Sequence, residues 1–198
     1  REVEVESAGW RGAPLRIGIV SDTHVGAPHM TLDRLDGIID RLNDARPDVV
    51  VFLGDYAGGH EPASVRSRPE RSEILAGAEA LGRAKAPLGR YAVLGNHDSW
   101  YDEVALAAAL ERGGVRVLEN RGVEVERAGG GFWLAGLADL ESRRTVPSVA
   151  SALRDSPPGR PAILLTHWPD PFTDVARPGG ADAGRPHPLR SGRPAGVR

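Results

Sequence analysis

The amino-acid sequence predicts an α/β fold in a single domain, and three observations indicate it. Short apolar runs rich in β-branched residues end in polar residues, as buried strands do. Segments with apolar residues at helical spacing separate these runs, so strands and helices alternate along the chain. A length of 198 residues, 40% of them hydrophobic, suffices for one sizeable core.

The first strand and helix show both patterns. LRIGIVSD, residues 15–22, predicts a buried strand that stops at polar residues. Residues 31–45 predict a helix with Thr31 as its N-cap, and Pro47 prevents its continuation. The helical spacing is carried by Leu32, Leu35, Ile38, Ile39 and Leu42.

The next two predicted strands flank a loop and a second helix. DVVVFLGD, residues 48–55, and RYAVLGNHD, residues 90–98, are the strand segments. Residues 56–71 are rich in glycine, proline and charge, which predicts a loop, and residues 72–85 predict a helix. We expect the third strand to deliver Asn96 and His97 at its end.

The second half of the chain predicts a helix and then mainly strands. A helix is expected over 102–112, and a short one over 146–153. The predicted strands are VRVLEN, GVEVERA, FWLAGL and PAILLTHWPD, which ends near His167. We expect the domain to span residues 15–175, preceded by a lead-in strand within residues 1–14.

Composition excludes several classes of function. A formal net charge of -2 supplies neither the basic surface of a nucleic-acid-binding protein nor a polybasic membrane-binding surface. Without cysteine, disulfides and thiolate chemistry are excluded, so a metal would bind His, Asp, Asn or Glu. No apolar run reaches the roughly 18 residues that span a bilayer. This predicts a cytoplasmic location. Because the chain begins at Arg1 without an initiator Met, membrane association through a preceding segment is the alternative expectation.

Four blocks of polar residues, SDTH, LGDY, LGNHD and LTHWPD, follow predicted strands. Carboxylates and imidazoles from separate strands suit a binuclear site, because a bridging carboxylate can hold two cations roughly 3.5 to 4 Å apart. Asp55 is the natural bridging candidate. The candidate site residues are Asp22, His24, Asp55, Asn96, His97, Asp98 and His167.

Taken singly, these residues have simpler interpretations. Asp22 and Asp55 are typical turn and cap residues, and His167 alone favours a hydrogen-bonded core histidine. All four blocks in this order favour a metal site. Outside them, His29 and Asp139 are interpreted as structural, and His60 as a solvated loop histidine rather than one that approaches substrate.

SDTHVG, GDY, GNHD and the strand-final histidine of ILLTHWPD resemble the successive signature blocks of the calcineurin-like metallophosphoesterase family. The resemblance spans about residues 15–172. It implies an α/β sandwich of two β-sheets flanked by helices, and a hydrolase acting on phosphate mono- or diesters. The branch with GDY and an HxPD block resembles bacterial phosphohydrolases that often carry an N-terminal membrane segment.

The resemblance also implies ligand roles. Asp22 and His24 would bind the first metal ion, Asp55 would bridge, and Asn96 with His167 would bind the second. Two divalent cations are implied, drawn from Mn, Fe, Zn and Ni, and the sequence does not choose among them. The implied substrate is a phosphorylated small molecule or a lipid-like phosphoester.

The implied mechanism is hydrolysis by a hydroxide that bridges the two metal ions and attacks phosphorus in line. His97 would face the phosphate, stabilising its charge or protonating the leaving oxygen, and Asp98 would orient the His97 ring. A loop histidine bonded to Asp98 is the simpler interpretation of this pair.

One family block, a GHTH-like turn after HxPD, is missing. Residues 178–198 are almost entirely Gly, Ala, Arg and Pro, and His187 lies between two prolines. Codons compatible with this segment, read one base later, can encode an apolar strand followed by GHTH. We therefore interpret residues 176–198 as a frameshifted, disordered tail with the C-terminal strands lost or incomplete, and we expect impaired metal binding and turnover.

Two other functions remain open at this point. A catalytically inactive protein of this fold could act as a binding scaffold, although intact first blocks argue against gradual loss of function. A nucleotide-binding module is weaker, because neither GxxxxGK nor GxGxxG follows a strand.

Overall fold

The computed structural model describes residues 1–10, 12–26 and 30–170. Within these ranges the chain alternates strands and helices in its first half and is richer in strands in its second. In chain order the elements are β1 Ile17–Val20, α1 Leu32–Asp44, β2 Val49–Phe52, α2 Arg68–Ala80, β3 Arg90–Ala92, α3 Asn96–Tyr101, α4 Glu103–Arg112, β4 Arg116–Val117, β5 Arg121–Val125, β6 Phe132–Gly136, α5 Val149–Ala152 and β7 Ala162–Leu165.

The first sheet is parallel, with strand order β1-β2-β3-β4. Alternate residues of β2 point to opposite faces, and Val50 and Phe52 pack beneath the helices. The helices contribute Leu35 of α1, Ile74 of α2 and Leu106 of α4 to this core. Because all four strands run the same way, the loops after them emerge at one edge.

The second sheet packs on the other face of the first. Its order is β5-β6-β7, with β5 antiparallel and β7 parallel to β6. Val49 and Val51 of β2 share a buried cluster with Phe132 and Leu134 of β6 and Leu165 of β7. The predicted α/β sandwich of two sheets with helices is confirmed.

Helix α1 agrees closely with its prediction. It begins at Leu32 and ends at Asp44, and the Thr31 side chain accepts a hydrogen bond from the Arg34 backbone N–H at 3.3 Å. The N-cap satisfies a donor that the first helical turn would leave unpaired.

Two predicted boundaries are wrong. Helix α2 begins at Arg68 and not at residue 72, because Ser67 and Glu70 form a capping box and Pro69 is tolerated in a first turn. Strand β3 ends at Ala92, and Asn96 already opens helix α3. His97 therefore lies on the first turn of a helix.

The described part of residues 1–14 joins neither sheet, which corrects the predicted lead-in strand. Val3 and Val5 alternate with charged residues, as in a half-buried strand, but both valines are exposed and pack on no apolar surface. Trp10 anchors the segment by packing on Phe132 at 5.6 Å between ring centroids. The predictions for His29 and for residues 176–198 lie outside the described residues.

Candidate metal centre

Two loops that run side by side bring the first two blocks together. The Asp22 N–H donates to the Gly54 carbonyl at 3.0 Å, and the His24 N–H donates to the Asp55 carbonyl at 2.9 Å. Asp22, His24 and Asp55 all have positive φ, at 56°, 46° and 59°. Such left-handed backbone is uncommon for residues other than glycine and clusters at functional sites.

Three imidazoles converge on one carboxylate oxygen. The Nε2 atoms of His24, His97 and His167 lie 3.6, 3.9 and 3.5 Å from Oδ2 of Asp55. Asp55 is only 4% exposed, so its charge is largely removed from water. A buried carboxylate requires compensation by positive charge or hydrogen bonds, and bound cations would supply that charge here.

The opposite ring nitrogen of each histidine is held by the backbone. Nδ1 lies within hydrogen-bond distance of a carbonyl oxygen in all three cases. The partners are Ala57 for His24 at 3.3 Å, Gly59 for His97 at 2.7 Å and Leu53 for His167 at 2.8 Å. Since a carbonyl only accepts, Nδ1 must carry the hydrogen, and Nε2 of the neutral ring keeps its lone pair for a metal ion.

The acidic and imidazole side chains form two overlapping groups that could hold a metal ion. One consists of His24, Asp55 and His97, and the other of Asp22, Asp55 and His167. In each group the ligand atoms lie within 4.8 Å of one another. Asp55 belongs to both, which is the position expected for a bridging carboxylate.

Asn96 adds an amide oxygen to this centre. Its Oδ1 lies 3.1 Å from Nε2 of His167, and the residue is buried at the start of α3. Carboxylate, imidazole and amide donors together suit Mn, Fe, Zn or Ni, so the residues present fit a transition-metal site. The residues brought together are Asp22, His24, Asp55, Asn96, His97 and His167.

Asp98 is placed differently from its predicted role. His97 Nδ1 pairs with Gly59, while the Asp98 carboxylate accepts four backbone N–H groups at 2.8 to 3.1 Å. The donors are Asp55, Tyr56, Ala57 and Gly95. The first turn of α3 directs Asp98 inward and the His97 ring towards the loop after β2, so Asp98 fastens that loop to α3.

Burial dominates the ionisation of Asp98. It raises the pKa of this carboxyl to about 7, opposed by the hydrogen bonds from the backbone N–H groups. Burial also raises the pKa of Tyr56 well above its usual value; its hydroxyl donates to the Val93 carbonyl at 2.8 Å. These two side chains form a buried support beneath Asp55.

Glycines allow the Asp55 loop and α3 to approach closely. A Cβ atom on Gly95 would lie 2.3 Å from Oδ1 of Asp55, and one on Gly54 would lie 2.6 Å from the Gly95 nitrogen. Gly54 also has a φ of +98°, which disfavours any side chain. The LGDY and LGNHD blocks can therefore lie this close only because Gly54 and Gly95 carry no side chain.

We expect Gly95→Ala to lower the free energy of unfolding by about 1 to 3 kcal/mol, because the added methyl group overpacks the site. It should also weaken Mn²⁺ binding by displacing Asp55. Urea denaturation and calorimetric titration measure the two effects. Gly37→Ala in α1 is the matched control, since its Cβ would meet nothing nearer than 3.8 Å and alanine favours a helix. A fully stable Gly95→Ala protein with unchanged Mn²⁺ affinity would contradict the expectation.

Two aromatic contacts near the site were not predicted. The His60 ring lies 4.8 Å from that of His97, and the Trp100 ring lies 4.7 Å from it. Trp100 follows His97 at the i+3 spacing that places residues on one helix face. This spacing predicts their contact only if α3 is known to begin before His97. His60 gave no local signal, because its contact joins the loop after β2 to the distant helix α3.

A two-sheet sandwich with metal-binding donors gathered at the ends of its strands defines a metal-binding α/β protein. The chain belongs to the calcineurin-like phosphoesterase family, whose model matches residues 15–193. This confirms the resemblance stated from the sequence blocks.

Relatives and a solved structure agree with this assignment. The chain is 33% identical to a transmembrane protein with metallophosphoesterase domain from Danio rerio, over 85% of this chain and 38% of that protein. It is 28% identical to an uncharacterized metallophosphoesterase from Aquifex aeolicus, over 80% of this chain and 57% of the relative. The NAD nucleotidase of Haemophilus influenzae is 16% identical with a TM-score of 0.50, covering 82% of this chain and 36% of that one, and shows the likeness of fold.

The chain therefore spans less than two thirds of the length of these relatives. Among the residues that the structure describes, no helix combines the length and apolar character needed to cross a membrane.

Proposed function

We propose that this chain is a metal-dependent phosphoesterase that hydrolyses phosphate mono- or diesters at a two-cation centre. The observation that carries the proposal is the convergence of three histidine Nε2 atoms on one buried oxygen of Asp55. Separate carbonyls fix each ring, so the donors are oriented before any ion binds.

The proposed ligand roles are those that the family resemblance implies; they differ from the two groups of side chains described above, in which Asp22 lies with His167 and His24 with His97. Asp22 and His24 would hold the first cation, Asn96 and His167 would hold the second, and Asp55 would contribute to both. His24 Nε2 lies 3.8 Å from Oδ1 of Asp22, and His167 Nε2 lies 3.1 Å from Oδ1 of Asn96, which supports these pairings. When bound, divalent cations supply Lewis-acid chemistry, lowering the pKa of water and polarising the phosphoryl group.

His97 acts on the phosphate or the leaving group. Its Nδ1 is engaged by Gly59, so the protonated ring has only Nε2–H free to donate towards the site. The His97 side chain is 15% exposed, which leaves it accessible to a bound substrate. A donor at this place stabilises charge on a phosphoryl oxygen or protonates the departing alkoxide.

The substrate is a small phosphorylated molecule or a lipid-like phosphoester. The Danio rerio relative is named as a transmembrane protein, so membrane association of the natural protein is part of this proposal. Fractionation of the natural full-length protein tests it. Recovery only in the soluble fraction would reject this part.

Hydrolysis assays test the proposed activity. We expect bis-p-nitrophenyl phosphate or p-nitrophenyl phosphate to be cleaved with Mn²⁺, and cleavage to stop with EDTA, because cations supply the activation of water. The assay should compare this chain with a variant in which residues 178–198 are replaced by the sequence encoded one base later, an apolar strand followed by GHTH. If residues 176–198 replace a normal segment, the shifted version will be the more active. Mn²⁺ binding without cleavage by either version would favour the inactive scaffold.

A further inference from the structure

An aromatic cluster borders the candidate metal centre. The rings of His60 and Trp100 lie 4.8 and 4.7 Å from the ring of His97, and 5.4 Å from each other. The planes are tilted by 42° to 43° in all three pairs. His60 is exposed and Trp100 is half-buried, so the cluster reaches the surface directly beside the site.

The backbone on both sides of His60 is held by a buried cation. The Arg66 guanidinium donates to the Gly58 carbonyl at 2.5 Å and to the Glu61 carbonyl at 3.1 Å, on the two sides of His60. The Arg66 side chain is only 6% exposed and lies 5.5 Å over the Tyr101 ring. The segment carrying His60 is therefore fixed to the protein body, while the His60 side chain itself is exposed in a loop.

Trp100 is fixed independently. It lies on α3 three residues after His97, and its Nε1–H donates to Oε2 of Glu141 at 2.6 Å. Glu141 belongs to the segment after β6, where the neighbouring Asp139 is buried. Two separate parts of the fold thus hold two aromatic rings against the residue that faces the phosphate.

We propose that His60 and Trp100 form a stacking platform for a planar aromatic group of the substrate, such as a nucleobase or an aryl leaving group. The inference rests on the proposed phosphoesterase function and narrows its substrate class. Rings already held by the fold lose little conformational entropy on binding, and aromatic faces stack on any base. Both rings pack against His97. A single small substrate could therefore place its planar group on these rings and its phosphate at His97.

Binding measurements with three probes separate the base from the phosphate. The probes are adenosine 5′-monophosphate, ribose 5-phosphate and adenosine, titrated calorimetrically into the protein with Mn²⁺. We expect adenosine 5′-monophosphate to bind at least about tenfold more tightly than ribose 5-phosphate, a ratio typical of stacking one base. Adenosine should bind weakly and independently of Mn²⁺.

Two substitutions at Trp100 provide the matched comparison. Trp100→Leu keeps an apolar side chain without a ring, and we expect it to reduce the advantage of the base to less than about twofold. Trp100→Phe keeps a ring and should retain most of the advantage. Trp10→Phe alters a tryptophan that packs on Phe132 and should leave it unchanged. Thermal unfolding of each variant confirms that it is folded.

Each outcome decides the proposal. Equal affinities for adenosine 5′-monophosphate and ribose 5-phosphate, or equal losses for both in Trp100→Leu, would overturn the platform. If adenosine and adenosine 5′-monophosphate bind equally, with or without Mn²⁺, and Trp100→Leu abolishes both, the platform stands and the proposed function fails.

Discussion

Asp55→Asn is expected to lower the affinity for Mn²⁺ by at least about 100-fold, since even residues that only support a metal ligand affect affinity by 10- to 100-fold. Asp55 is the member common to both groups of candidate ligands, so its charge would serve both cations. Asparagine keeps the shape of the side chain. Its Oδ1 can still accept the 3.0 Å hydrogen bond from the His97 N–H, so the local backbone should persist.

Calorimetric titration with Mn²⁺ measures this loss, together with hydrolysis of bis-p-nitrophenyl phosphate. Asp40→Asn, at an exposed carboxylate of α1, removes the same charge far from the strand ends and should bind Mn²⁺ like the parent protein. Unaltered Mn²⁺ affinity in Asp55→Asn would show that the shared carboxylate is not a ligand, and the two-cation proposal would fall.

Asp98→Asn is expected to lower the free energy of unfolding by about 2 to 4 kcal/mol, measured without metal. Four backbone N–H groups donate to the Asp98 carboxylate, which is completely buried. The amide oxygen of asparagine can accept only about two of them, and its NH₂ group would face the others as a second donor. A buried donor left without a partner costs about 1 to 3 kcal/mol.

Urea denaturation in EDTA measures the effect of Asp98→Asn. Asp102→Asn, four residues further on, is the control, because Asp102 caps α4 through its bond with the Ala105 N–H and asparagine caps equally well. We expect the control to change stability by less than about 0.5 kcal/mol. Equal stability of the two variants would mean that Asp98 does not fasten the loop to α3.

Much of the metal centre could be predicted because its residues follow the ends of buried strands. The runs before Asp22 and Asp55 are apolar enough to identify as strands, and adjacent parallel strands end at one edge. His167 follows β7 of the second sheet. Its proximity to Asn96 was expected only from the resemblance to the family, because strand order is not visible in residue periodicity.

The parts that sequence reasoning missed depend on the start of α3. Gly95 ends the extended segment, so Asp98 points inward as a hydrogen-bond acceptor and Trp100 shares a face with His97. The contact of His60 with both rings joins residues about 40 positions apart and is produced only by tertiary packing. The start of α2 was missed because charge and Pro69 resemble a loop, although both suit a first helical turn.

One short backbone segment orients all three histidines of the metal centre. All their Nδ1 partners come from residues 53–59, a single stretch of seven residues after β2. If this stretch shifts, every imidazole shifts with it, so the two proposed ligands His24 and His167 and the phosphate-facing His97 would change position together. A change of metal preference in this protein would therefore require redesign of residues 53–59 as a whole. An inhibitor that displaces this stretch would move all three imidazoles out of position together.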